Sequence, residues 1–155
     1  MKKTNAIRIL EREAIDFEIV TYEWDEEHLD AISASGHLGV EAHHVYKTIV
    51  CEDGQGGHHV FCLPAEFSVN LKKARSLTGR WDLVPLKLAK LKEVTGYIRG
   101  GCSPIGMKSP FPTYIEELSQ LEQYIFVSAG ERGLQVKIRP SDLVRVCKGI
   151  LADFT

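Results

Sequence analysis

The segment that most constrains this chain is Val45-Tyr46-Lys47-Thr48-Ile49-Val50-Cys51, a run that reads as a β-strand covered on both faces yet carries one lysine. Successive strand side chains point to opposite faces. Val45, Lys47, Ile49 and Cys51 therefore share one face and Tyr46, Thr48 and Val50 the other, and both are largely apolar. An ammonium among such neighbours needs a partner, because an isolated buried charge is costly. Two placements satisfy that need: a pocket in which a ligand anion pairs with Lys47, or a sheet edge from which the amine reaches water.

The surrounding sequence supplies the strand's partner. The glycine-rich link Glu52-Asp53-Gly54-Gln55-Gly56-Gly57 joins it to His58-His59-Val60-Phe61-Cys62-Leu63, which predicts an antiparallel hairpin ending at Pro64. A second hairpin is expected from residues 124–128 and 134–138 around Ala129-Gly130-Glu131-Arg132-Gly133. Alternation over 17–22 predicts a further strand, and 113–115 a short one after Pro110 and Pro112. Helical spacing places a first helix over 4–13 behind a Thr4 or Asn5 cap. Others follow over 30–38, over 70–77 before Gly79, and over 86–94 before Gly96, with short turns at 41–44 and 116–123. Pro140 begins a last helix, with Ser141 as its cap and an apolar face of Leu143, Val144, Val146, Cys147, Ile150 and Leu151.

At 155 residues, 44% hydrophobic and 26% charged, the chain fits one globular domain over 1–155. No apolar run is long enough for a bilayer span or a signal-peptide core, so a cytoplasmic location is expected. Cys51, Cys62, Cys102 and Cys147 are scattered without a C-x-x-C pair, which argues against a disulfide framework and a zinc site. The net charge of −2 conceals a polarised chain. Residues 1–71 carry five basic and thirteen acidic groups, whereas 72–108 carry nine basic and two acidic ones. A basic surface of that kind suits a polyanion, and a solvated lysine-rich helix face suits it equally.

Few residues suggest chemistry by themselves. His58 and His59, adjacent on a strand, would face opposite ways and could not share an ion, and His43-His44 is judged no better; no metal site is expected. Walker A, G-x-S-x-G and G-x-G-x-x-G patterns are absent. Cys51 and Cys102 could act as nucleophiles only beside a histidine brought near by the fold, and the simpler role for both is that of a small buried hydrophobe. Gly100-Gly101 would let the backbone approach a ligand closely or simply form a turn.

Three motifs taken in order carry more. Val45-Tyr46-Lys47-Thr48, then Thr95-Gly96-Tyr97-Ile98-Arg99-Gly100-Gly101-Cys102-Ser103-Pro104-Ile105-Gly106, then Val127-Ser128-Ala129-Gly130-x-Arg132-Gly133-Leu134-Gln135 together resemble the YbaK/EbsC family across nearly the whole chain. Members are free-standing relatives of the editing domain of bacterial prolyl-tRNA synthetases. The resemblance implies a compact α/β domain around a mixed, partly barrel-like sheet surrounded by helices. The pocket would accept the aminoacyl-adenosine end of a mischarged tRNA, with Cys-tRNA(Pro) as the substrate most expected and Cys-tRNA(Cys) beside it. It implies Lys47 as the essential residue and Tyr22, Thr48, Gly100, Gly101, Pro104 and Ser128 as pocket residues. Lys72, Lys73 and Arg75 in the basic stretch would then meet tRNA phosphates. In relatives that act on Cys-tRNA the substrate thiol attacks its own ester carbonyl, so neither a protein nucleophile nor a cofactor is expected. A ternary complex with prolyl-tRNA synthetase is the implied partner state. Deacylation of another small amino acid such as alanine, and a non-catalytic tRNA-binding role, are the alternatives.

Overall fold

The computed structural model describes residues 3–155. Helix α1 (Asn5–Arg12) starts at Thr4, whose side chain accepts the Ile7 N–H, and strand β1 (Phe17–Thr21) follows. Helix α2 (Ala31–Leu38) is capped by Asp30 and closed by Gly39 in the left-handed region. A 3₁₀ turn (Ala42–His44) leads into β2 (Val45–Glu52), which pairs antiparallel with β3 (His58–Pro64), Lys47 opposite Leu63. Helix α3 (Leu71–Thr78) has Asn70 as its cap. A two-residue strand β4 (Val84–Pro85) joins the edge of β2, and the expected helix over 86–94 is instead two pieces, a 3₁₀ turn (Leu88–Lys90) and a short helix α4 (Leu91–Thr95).

After a long loop come β5 (Thr113–Glu116), a 3₁₀ turn (Glu117–Leu121), and the hairpin β6 (Ile125–Glu131) and β7 (Leu134–Ile138). Helix α5 (Pro140–Cys147) corrects two expectations. Its N-cap is Arg139 without a side-chain cap bond and with Pro140 in the first helical position, so Ser141 does not cap it. It also stops at Lys148, which has φ +51°, and Ile150 and Leu151 belong to strand β8 (Ile150–Ala152), not to the helix face.

All eight strands form one mixed sheet in the order β1-β7-β6-β2-β3-β5-β8, with β4 on β2. The β2–β6, β3–β5 and β5–β8 pairs are parallel and the others antiparallel. Alternation along the central strands feeds two cores. Cys62 and Ile115 join α1, α5 and the β6–β7 hairpin, whereas Phe61, Leu63 and Tyr114 pack with Cys51, Ala74, Leu83 and Phe154. The buried carboxylate of Glu116 accepts the Phe154 N–H at 3.0 Å, and the Phe154 carbonyl accepts the Asn70 N–H at 2.7 Å, fastening the C-terminal segment beside α3. No helix among the described residues is long and apolar enough to cross a membrane.

Candidate active site

Strand β2 is paired unequally on its two sides. Along one side β3 accompanies it from Tyr46 to Glu52. On the other, β6 pairs only with Val45 and Tyr46, and β4 only with Cys51 and Glu52. Between them Lys47, Thr48 and Ile49 lack a strand neighbour on that side, and Val50 is met there only by the Leu86 N–H, which its carbonyl accepts at 2.9 Å. The cause lies in β6, whose register with β7 shifts between Ser128 and Glu131, a bulge that turns it away from β2 just beyond the Tyr46–Val127 pair. A cleft of about 490 Å³ fills the interval, a size typical of small-ligand sites. Both parities of β2 contribute to its wall, which is otherwise built from α2, Leu86, Leu88, Leu91 and Arg99-Gly100.

Lys47 is half-buried in that wall. Its Nζ donates to the Ala65 carbonyl at 3.0 Å, leaving two N–H bonds without a protein acceptor. Burial pushes its pKa below the ordinary lysine value, with the Asp30 carboxylate pulling the other way. Asp30 itself accepts from the Ser33 hydroxyl at 2.7 Å and from the Ser33 N–H at 3.1 Å, bonds that hold its pKa low, so it faces the cleft as a fixed anion. Around this pair the wall presents polar atoms that nothing satisfies: Thr48 Oγ1 and Gln135 Oε1 are both buried and unpartnered. Ser128 Oγ accepts the Gly130 N–H at 3.2 Å and keeps its own hydrogen available. Tyr22, just past β1, stacks on His37 with ring centroids 5.5 Å apart; burial raises its phenol pKa, opposed by the amide N–H side of Gln135, whose Oε1 stays unpartnered, and by the Gly133 backbone.

The loop glycines divide in function. Gly100 lines the cleft at φ +83°, where a side chain would also meet Leu29 at 3.1 Å. Gly101 lies behind it: a Cβ there would come within 3.0 Å of the Arg132 nitrogen and the Glu131 carbonyl carbon, so its smallness lets the loop press against the β6–β7 turn. Pro104 is also outside the wall, with its carbonyl facing the Cys147 thiol at 3.5 Å. Gly101 and Pro104, which the resemblance implies as pocket residues, lie outside this wall and shape the loop behind it. Arg132 ties the loop to the hairpin by donating to the Arg99 carbonyl at 2.9 Å while its guanidinium lies 5.1 Å over the Trp24 ring.

Of the three basic residues singled out on α3, Lys72 is exposed, but Lys73 holds Asp153 at 3.0 Å and the Thr155 carbonyl at 2.9 Å, and Arg75 Nε is spent on the Leu83 carbonyl at 2.9 Å. None of them lines the cleft. The exposed cations next to it are Lys87, Lys90, Lys92 and Arg99, on the segment that supplies Leu88 and Leu91 to the wall. Gln135 and Asp30 are cleft residues that the sequence alone does not single out. Gln135 carried the same signal as Lys47, a polar residue flanked by apolar ones in a strand; Asp30 was read only as the start of a helix.

Comparison with known proteins places these features in a family. The aminoacyl-tRNA editing domain matches residues 26–146. A protein of Enterococcus faecalis named "Putative Cys-tRNA(Pro)/Cys-tRNA(Cys) deacylase EbsC" is 39% identical over 99% of this chain and 94% of its own. Two solved structures share the fold at lower identity. One, described as "a putative trans-editing enzyme for prolyl tRNA synthetase", superposes with TM-score 0.84 at 21% identity over 100% of this chain and 99% of its own. The other, hypothetical protein APE2540, gives 0.89 at 17% over 97% and 99%. With the domain match spanning most of the chain and the relative covering nearly all of it, this protein belongs to the aminoacyl-tRNA editing domain family.

Proposed function

We propose that this protein is a trans-editing aminoacyl-tRNA deacylase that removes cysteine from mischarged Cys-tRNA(Pro), and from Cys-tRNA(Cys), in the cytoplasm. The observation that carries the reading is the unpaired interval of β2, where an ammonium with free N–H bonds and two unsatisfied buried polar atoms, Thr48 Oγ1 and Gln135 Oε1, line one cleft together with Asp30, Ser128 and a set of apolar side chains. Buried polar atoms left without partners are uncommon in folded proteins, and here they suit the hydroxyl, amino and carbonyl groups of an aminoacyl-adenosine. The name of the Enterococcus relative narrows the amino acid to cysteine.

The protein offers no activated nucleophile of its own. Burial pushes the Cys102 thiol up to about 12 and the Cys62 thiol well above its usual value, and no histidine lines the cleft among the described residues. This suits the route that the family resemblance implies, in which the substrate's own thiol attacks. Its sulfur bonds to the ester carbonyl carbon, the bond to the terminal ribose oxygen breaks, the thiol proton passes to that oxygen, and a cyclic thiolactone leaves. The chain's contribution is to hold the ester and stabilise the developing oxyanion. Lys47 Nζ serves as the charged donor, and Thr48 and Ser128 serve as hydroxyl donors. Lys87, Lys90, Lys92 and Arg99 meet the phosphates of the acceptor end, and Lys72 stands further off. Prolyl-tRNA synthetase, which releases the mischarged tRNA, is the partner from which substrate would be captured.

Deacylation of Cys-, Ala-, Pro- and 2-aminobutyryl-tRNA(Pro), with and without the synthetase, tests the proposal. Cysteine should be lost quickly and 2-aminobutyrate, which has the same size without the thiol, should be spared. Loss of neither cysteine nor alanine would remove the enzyme reading, and loss of alanine alone would reassign the substrate.

A further inference from the structure

His43 and His44 would diverge on a strand, but they sit on the tight 3₁₀ turn ahead of β2, and there both rings turn toward one carboxylate. His43 Nδ1 lies 2.9 Å from Glu122 Oε1 and His44 Nδ1 lies 3.0 Å from Glu122 Oε2, with the two imidazole centroids 4.1 Å apart. All three donor groups fall within 4.8 Å of one another. Adjacency that separates His58 from His59 on β3 brings His43 and His44 together on a turn.

The geometry points to a binding site for a divalent transition cation of the zinc class, coordinated by His43 Nδ1, His44 Nδ1 and a Glu122 carboxylate oxygen. Two imidazole nitrogens and one carboxylate form a three-protein-ligand set suited to Zn²⁺ with a fourth position left to water, whereas Mg²⁺ and Ca²⁺ require oxygen donors almost throughout. Bonds of about 2.0–2.1 Å at tetrahedral angles would set the donor atoms roughly 3.3 Å apart, against imidazole–carboxylate contacts of 2.9 and 3.0 Å and a full donor set that lies within 4.8 Å. Access is free, since the side chains of His43 and His44 are 46% and 35% exposed, while Glu122, at 18%, supplies the anchored floor.

Position gives the site its meaning. His44 immediately precedes Val45 at the start of β2, and Glu122 stands three residues before β6. The ion would join the two strands at the end where they pair, Val45 with Phe126, just ahead of the point where they separate to open the cleft. It is a clamp on that junction, distinct from the cleft wall, which contains none of the three ligands. The inference stands apart from the deacylase reading.

Calorimetric titration of the metal-stripped, reduced protein with ZnCl₂, and with MgCl₂ in parallel, tests it. One equivalent of Zn²⁺ should bind, raise the melting temperature, and bind at least about tenfold more weakly to Glu122→Gln and to His43→Ala, with no response to Mg²⁺. Glu122→Gln keeps the residue's shape, and circular dichroism confirms that both variants remain folded. Cobalt substitution supplies a readout independent of stability: nitrogen and oxygen ligation gives visible d–d bands without the intense thiolate-to-metal charge transfer that binding at a cysteine produces. Absence of stoichiometric zinc binding, binding undiminished in either variant, or a thiolate band would overturn the assignment.

Discussion

Replacing Lys47 separates what the cleft does for substrate from what it does for the fold. In Lys47→Met the hydrocarbon stem stays and the ammonium goes, removing one bond to the Ala65 carbonyl and the positive charge facing the cleft. A hydrogen bond from a charged donor contributes about 1.5–3 kcal/mol, which at about 1.4 kcal/mol per tenfold is roughly a 10- to 150-fold loss. If the same amine stabilises the oxyanion of the transition state, about 10²–10³-fold is expected. The cleft is open to solvent, so a loss of kcat/KM near about 10²-fold on Cys-tRNA(Pro) is the expected result. Stability should barely change. Stranding the Ala65 carbonyl costs about 1 kcal/mol, and relieving the desolvation that already depresses the lysine pKa acts in the opposite direction. Lys47→Arg retains charge but presents a planar fork in place of a compact ammonium and should recover only part of the rate. Single-turnover deacylation and thermal unfolding of both variants provide the check. Turnover by Lys47→Met within about twofold of the parent would refute the reasoning, because Lys47 is the one charged donor assigned to the oxyanion, beside the neutral hydroxyls of Thr48 and Ser128.

The same lysine sets a pH signature. Its pKa is lowered in the fold, so kcat/KM should fall at a lower pH than an ordinary lysine would dictate. Across that interval the unfolded chain binds the extra proton, so this residue's contribution to stability rises with pH; both trends should vanish in Lys47→Met. Substituting Lys87, Lys90 and Lys92 together by glutamine should flatten the log–log salt dependence of tRNA binding by about 2–3 while leaving turnover of an aminoacyl-adenosine mimic unchanged, and an unaltered slope would show a merely solvated rim. Gly101→Ala forces a methyl against the backbone of Glu131 and Arg132 and should cost about 1–3 kcal/mol in urea unfolding, whereas Gly36→Ala, with open space around it in α2, should gain about 0.5–1 kcal/mol. Asp53 accepts the Gln55 and Gly57 N–H groups at 2.9 Å and faces His59 at 3.0 Å, which holds its pKa far below the ordinary 3.8. Its stabilising effect is complete above that value and is lost as the pH falls below it, so Asp53→Asn should flatten the acid limb of a pH-dependent unfolding curve.

Local patterns were legible in the sequence and pairings between distant segments were not. The β2–β3 and β6–β7 hairpins follow from alternation on either side of glycine-rich turns, and the cap of α1 from Thr4. By contrast, β4 and β8 are two and three residues long and exist because β2 and β5 offer edges to pair with. Ile150 and Leu151 continue the helical spacing of α5 perfectly well. The chain leaves the helix at Lys148, a left-handed residue without the glycine that would have announced the stop, and Gly149 then packs closely on Ile115. Within the cleft, Lys47 betrayed itself by its apolar flanks. The gap beside it was invisible, because it depends on where β6 bulges and on how short β4 is.

That gap explains why Lys47 can be both half-buried and useful. A lysine on a fully paired central strand would have its amine enclosed by neighbouring side chains and would shed its proton or rearrange the sheet around it. On a free outer edge it would be wholly hydrated, and a hydrated ammonium gains little by exchanging water for a substrate oxygen. Lys47 lies between these limits: β3 covers one side for the whole length, β6 and β4 bracket the other, and the four residues between them face a cleft. Its desolvation cost is offset in part within the fold by Ala65 and Asp30, before any substrate arrives. A ligand oxygen entering the cleft then meets a donor already partly stripped of water and held by a strand, the arrangement in which one charged hydrogen bond has the greatest effect on a developing oxyanion.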